Sequence, residues 1–86
     1  MNIIKTYTTN ISDESGISHE LIINLTADKG IYGFECTLLP SGETAADFNV
    51  TDSRIAAFEL FDILCGNKVL PLNFYSVLDD TADMYI

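Results

Sequence analysis

The chain has 86 residues, 48% of them hydrophobic, with thirteen acidic side chains against four basic ones and a formal net charge of −9. That length supports one domain with a single modest core, and that composition is globular rather than disordered. The charge excludes the Lys/Arg footprint that direct nucleic-acid binding requires and disfavours an anionic membrane, which leaves a basic protein surface open as a partner.

The opening stretch, MNIIKTYTTNISDES, holds no run long enough for a signal sequence or a membrane span, so the cytosol is the expected compartment. Two cysteines, Cys36 in a strand pattern and Cys65 near a helix end, are expected as free thiols that pack as small hydrophobes. Without a secretory signal, the N-x-S/T triplets at Asn10, Asn24 and Asn49 read as chance.

Residues 1–9 alternate weakly and carry Thr6, Tyr7, Thr8 and Thr9, which favour extended chain. Residues 10–18 are polar with a glycine and read as a loop. Residues 19–26 form a clearer strand, with Leu21, Ile23 and Leu25 on one face and Glu20, Asn24 and Thr26 on the other. Ala27-Asp28-Lys29-Gly30 is a tight-turn signal. Residues 31–39 return as a third strand, with Tyr32, Phe34, Cys36 and Leu38 sharing a face. Gly33 inside that strand marks a bulge or a close backbone approach. Pro40-Ser41-Gly42 makes the next turn, and residues 44–50 make a fourth strand with Ala46, Phe48 and Val50 directed inward.

A strong helix follows, with Thr51 or Asp52 as its cap and Gly66 as its stop. Ile55, Phe58, Phe61, Leu64 and Cys65 fall on its broad apolar face, while Leu60 and Ile63 widen that face beyond what a one-sided helix needs. Pro71 opens a second short helix whose apolar face is Phe74, Val77 and Leu78. Asp79, Asp80 and Asp83 crowd the end of that helix, where the dipole disfavours anions. Either the helix stops near Leu78 or these charges serve something other than local stability.

The expected fold is α+β, one domain over residues 1–86: a four-stranded antiparallel meander with two C-terminal helices packed on one face. The expected core is Leu21, Ile23, Leu25, Tyr32, Phe34, Cys36, Leu38, Phe48, Val50, Ile55, Phe58, Phe61, Leu64, Phe74 and Val77.

Chemistry-bearing motifs are scarce. His19 is the single histidine, and nothing in the spacing joins it to Cys36 or Cys65 as a nucleophile pair. There is no phosphate loop, dinucleotide fingerprint, nucleophile elbow, zinc spacing or calcium loop, so no enzymatic activity, cofactor or metal site is expected. The sequence points instead to charge. Residues 43–86 hold eight carboxylates against Arg54 and Lys68, a net −6. Glu59 and Asp62 are neighbours on one helical face, about 5–6 Å apart between Cβ atoms, a spacing similar to neighbouring phosphates on a nucleic-acid strand. Asp47, Asp52, Glu59, Asp62, Asp79, Asp80 and Asp83 are therefore the candidate contacts to a basic protein such as a nuclease or a DNA- or RNA-binding protein, the chain acting as a nucleic-acid-mimicking inhibitor. The bland alternative is a solvated, solubilising face. A further alternative is a self-associating domain, a homodimer formed through the surplus apolar surface at Leu60 and Ile63 or through an open edge strand.

Tyr32-Gly33-Phe34, then Asp47-Phe48-Asn49-Val50-Thr51-Asp52, then Leu60, Leu64, Val69, Pro71, Leu72, Val77, Leu78 and Asp80 resemble a family of short acidic proteins from Firmicutes that carry a domain of unknown function. The likeness covers roughly residues 20–80. The acidic-aromatic ending usual in such chains is replaced here by Thr81-Ala82-Asp83-Met84-Tyr85. The resemblance implies a bacterial or phage-borne cytosolic protein and carries over no activity.

Overall fold

The computed structural model describes residues 1–83; Met84 and Tyr85, the end of the departure from the family pattern, lie outside the described residues. Four strands run in order, β1 (Asn2–Ser12), β2 (Ser18–Asp28), β3 (Ile31–Leu39) and β4 (Glu43–Thr51). They form one antiparallel sheet whose spatial order is the chain order. Helix α1 (Arg54–Gly66), a 3-10 turn at Pro71–Asn73 and helix α2 (Phe74–Ala82) follow. The fold is thus the expected meander with two C-terminal helices on one face.

The sheet faces follow from alternation. Leu21, Ile23 and Leu25 of β2 pair with Leu38, Cys36 and Phe34 of β3, and all but half-buried Leu38 are wholly or almost wholly buried under the helices. Tyr7 and Ile11 extend this face onto β1. The opposite face is polar: Thr6 Oγ1 donates to Asn24 Oδ1 at 2.8 Å, and Asn24 Nδ2 donates to Glu35 Oε1 at 3.1 Å.

The β2–β3 turn is two residues long, since Asp28 pairs with Ile31. Lys29 and Gly30 both have positive φ, 52° and 80°, as a type I′ hairpin turn demands. The strands reach further than alternation alone suggests. Asn10, Ile11 and Ser12 pair with Glu20, His19 and Ser18, which shrinks the first loop to five residues.

In β4 the expected facing is reversed. Phe34 pairs with Asp47 and Tyr32 with Thr51, so Gly33 alone on β3 opposes Phe48, Asn49 and Val50 on β4. Ala45 is buried on the helix side, whereas Phe48, expected in the core, is 41% exposed. Val50, the last residue of the bulge, returns to pack on the core. The facing is set ahead of the bulge: Ala45 and Asp47 pair with Cys36 and Phe34 and share their helix side, so alternation turns Phe48 outward.

Helix α1 also differs from expectation. Its N-cap is Ser53, whose Oγ accepts from the Ala56 N–H at 3.2 Å. Thr51 is still strand, paired with Tyr32, and its Oγ1 accepts from the Ser53 N–H. The buried face is Ala56, Ala57, Leu60, Phe61 and Leu64, with Ala57, Leu60, Phe61 and Leu64 in i, i+3, i+4, i+7 series. Ile55, expected in the core, is 75% exposed, because it lies on the far side of that series. The helix ends at Gly66 as expected, but the glycine does not take the left-handed position that closes it. Lys68 takes the left-handed position instead, with φ 49°. Its N–H donates to the Cys65 carbonyl and that of Val69 to the Leu64 carbonyl, a Schellman closure that tucks Val69 into the core.

Candidate functional site

The helix layer carries most of the predicted contacts. Glu59 and Asp62 are exposed on α1, opposite its buried series. Asp79, Asp80 and Asp83 are exposed at the end of α2. Asp52 is exposed immediately before the Ser53 cap. None of these six joins either of the two ion pairs found among the described residues, which are His19–Asp13 and the Met1 amino group–Asp28. Asp47 differs from the others. It is half-buried, and its Oδ1 accepts from the Asn49 N–H at 3.0 Å, which helps shape the β4 bulge.

Helix α2 does not stop near Leu78 but continues to Ala82. Asp79 and Asp80 therefore stand in its final turn with Asp83 as its C-cap residue, and no basic side chain accompanies them there. The negative end of the helix dipole meets three carboxylates, the unfavourable arrangement for local stability.

The helix layer is not uniformly anionic. Arg54 lies 4.7 Å from the centroid of the Phe58 ring, and Lys5 from β1 lies 5.6 and 5.5 Å from the Phe58 and Phe61 centroids. These cation–π placements hold two of the four bases against aromatic faces of α1.

Leu60 is wholly buried, so it is not available to a second chain and the self-association surface expected there does not exist. Leu60 belongs to the core series itself, and Ile63 beside it is half-buried. The exposed apolar residues of the helix layer are Ile55 and, beyond α1, Leu72 and Tyr75.

His19 and the thiols stand apart. His19 faces Ile11 at the hairpin end, four residues along β2 from Ile23, the partner of Cys36; at ~3.3 Å per residue that is about 13 Å. Its Nε2 lies 3.0 Å from Asp13 Oδ2. Asp13 Oδ1 also accepts from the Ser15 hydroxyl and from the Ser15 and Ile17 N–H groups. The His19 bond first, then those of Ser15 and Ile17, hold the Asp13 carboxyl well below the usual carboxylate range. This is a loop clasp. Cys36 Sγ donates to the Val69 carbonyl at 3.1 Å, and burial, with the neighbouring Cys65 second, pushes its thiol up to about 11. Burial and then the Asp62 carboxylate push Cys65 to about 11 as well, against the pull of Lys5. Both shifts run opposite to thiol activation. Among the described residues, no three His, Cys, Asp or Glu side chains gather closely enough to hold a metal ion. No helix is long and apolar enough to cross a membrane among them.

Sequence reasoning missed Tyr75. Its hydroxyl donates to the Ala46 carbonyl at 3.1 Å and accepts from the Ala46 N–H at 3.4 Å, closing the free edge of β4. A tyrosine beside a buried Phe74 looks like core, and only the tertiary fold shows the strand edge it covers. A shallow depression of about 510 Å³ is lined by Met1, Asp28, Lys29, Ile31, Phe48 and Asn49 and gathers no catalytic constellation.

No family model matches the chain, and no significant match is found among curated proteins or solved structures.

Proposed function

We propose that this chain is a small, non-enzymatic protein-binding module of the bacterial or phage cytosol whose helix layer engages a basic protein surface. The observation that carries this reading is the end of α2. Asp79, Asp80 and Asp83 occupy the positions where a helix is best served by cations, and none of them has an ionic partner among the described residues. Local stability argues against those residues, so a gain elsewhere must offset their cost. Glu59 and Asp62 add two exposed carboxylates on the neighbouring helix, with Asp52 at its start, and none of these has an ion-pair partner among the described residues. Exposed Leu72 and Tyr75 supply apolar contact area beside them, as an interface needs at its centre.

The sharper form of the proposal is an inhibitor that imitates nucleic acid. Carboxylates at helical spacing stand in for phosphates, and the partner is a nuclease or another nucleic-acid-handling protein whose Lys/Arg groove they fill. The test is capture from bacterial lysate on the immobilised chain. The expected result is a basic protein released above ~0.5 M salt, where the screening length falls to a few ångströms, and displaced by duplex DNA in competition. A partner retained at high salt, or one indifferent to DNA, overturns the mimic reading.

A further inference from the structure

We propose that β1 is an assembly edge, pairing antiparallel with β1 of a second copy of this chain about a two-fold axis at Thr8. The inference stands on the two sheet edges and does not rest on the acidic helix layer.

The edges are treated differently. On β4 the Tyr75 hydroxyl occupies both the N–H and the C=O of Ala46, and the bulge beyond Asp47 breaks the ladder geometry. Capping and bulging are two ways a protein blunts an edge against pairing. Among the described residues no side-chain cap of this kind meets a main-chain edge group of residues 5–12 in β1, and its register is unbroken from Lys5 to Ser12.

The Ala46 bonds also fix which groups β1 presents. Residues paired across an antiparallel ladder alternate between exchanging two hydrogen bonds and exchanging none. Ala46 points its polar groups outward, so its pair with Glu35 is of the second kind, and Glu35 turns towards β2. Asn24, opposite Glu35, then turns towards β3, which leaves its other partner, Thr6, facing out. By alternation Thr6, Thr8 and Asn10 present their N–H and C=O groups along the free edge. Thr8 is their midpoint. A two-fold axis there sets Thr8 against Thr8 and Thr6 against Asn10 of the partner copy, for about six main-chain hydrogen bonds. The pairing ends before the irregularity between Ile3 and Lys5.

Charge identifies the occupant. Two copies each carrying −9 repel, yet all thirteen carboxylates lie beyond residue 12, and residues 1–12 hold only Lys5. Lys5 stands on the helix face, drawn over Phe58 and Phe61 of its own chain. The β1 edge is therefore where two such acidic molecules approach with least repulsion, and each copy's Tyr7, half-buried on the helix face, gains Thr9 of the other as a cross-strand neighbour.

The experiment is sedimentation equilibrium of the chain at about 100 µM, far above the micromolar dissociation constants of weak specific complexes, at low salt and in ~0.5 M salt. A dimer at both, with slowed amide exchange at Thr6, Thr8 and Asn10, is expected. Thr8→Pro removes an outward donor that β2 does not use, and Thr8→Lys sets two ammonium groups opposite each other at the axis; both are expected to be monomeric. Circular dichroism confirms that each is folded, and the lysine variant decides the matter if the proline variant is not. A monomeric wild type, or a dimer that survives Thr8→Lys, overturns the proposal.

Discussion

The main chain of Phe48 crosses Gly33 so closely that a Cβ at position 33 would stand 2.7 Å from the Phe48 carbonyl carbon and closer still to its Cα. Two strands are locked here by the absence of a side chain. The obstacle is backbone, which cannot swing aside as a flexible side-chain end does. Gly33→Ala is expected to destabilise the fold by about 2–3 kcal/mol, the scale of overpacking in a tight site. A urea melt reads the effect, and an unchanged midpoint contradicts the bulge geometry.

Lys29 and Lys68 adopt left-handed backbone that a Cβ resists, at φ 52° and 49°. Lys29→Asn restores the favoured Asn-Gly pair of a type I′ turn, and Lys68→Gly supplies the favoured residue of a Schellman closure. Each is expected to raise stability by up to about 1 kcal/mol. Thermal melts check this, and a lowered midpoint counts against the turn assignments.

These two lysines show where the sequence was and was not legible. The turn at Gly30 is legible because it lies between two clean alternations. Gly66-Asn67 marks the helix end, but the left-handed closure at Lys68 is not legible because it depends on burying Val69, a tertiary contact. The order of strands and helices was visible because hydrophobic period changes from two to about 3.6 at Thr51. Facing was less visible. Ala57 looks like filler beside Ile55, yet the small residue is what sits against the sheet and sets the rotation of α1, taking Leu60 inward and Ile55 outward. Phe48 is illegible for a different reason. Pairing of Ala45 and Asp47 with Cys36 and Phe34 sets the phase of β4, whereas apolarity alone favours the opposite phase of Ala46, Phe48 and Val50; and although Gly33 announces irregularity, it does not say which strand carries the extra residues. Of the candidate site, the exposure of Asp52, Glu59, Asp62, Asp79, Asp80 and Asp83 was legible from period and polarity, whereas the turn-shaping bond of Asp47 was not.

Both thiols are held up at about 11, by burial first. Protonated thiols in the folded chain and ionised ones in the unfolded chain favour unfolding. The stability tied to the protonated thiols is therefore fully present below the ordinary thiol range near 9 and is lost as pH rises towards 11. Folded protein at pH 8 is expected to alkylate about a hundredfold more slowly than a free cysteine. Native labelling at the free-thiol rate, with Cys36 modified, contradicts the buried placement.

Asp79→Asn and Asp80→Asn relieve the clash with the α2 dipole, so each is expected to stabilise the fold by about 0.5 kcal/mol. The double variant is expected to melt higher and bind its partner less well, an opposition of stability and function at one surface. A lower melting temperature means these carboxylates have folded-state partners and removes the reason for assigning them to a partner protein.

The most direct measurement compares three baits in the same lysate at low salt: the wild type, a variant carrying Glu59→Gln, Asp62→Asn, Asp79→Asn and Asp80→Asn, and a control carrying Glu14→Gln, Glu20→Gln, Asp28→Asn and Glu43→Gln. The control changes four exposed carboxylates outside the helices. The two variants have equal net charge and differ only in where it was removed. The account predicts that the control captures the wild-type partner and the helix variant does not. Equal loss from both would reduce the interaction to bulk charge, and equal retention would place it away from the helix layer.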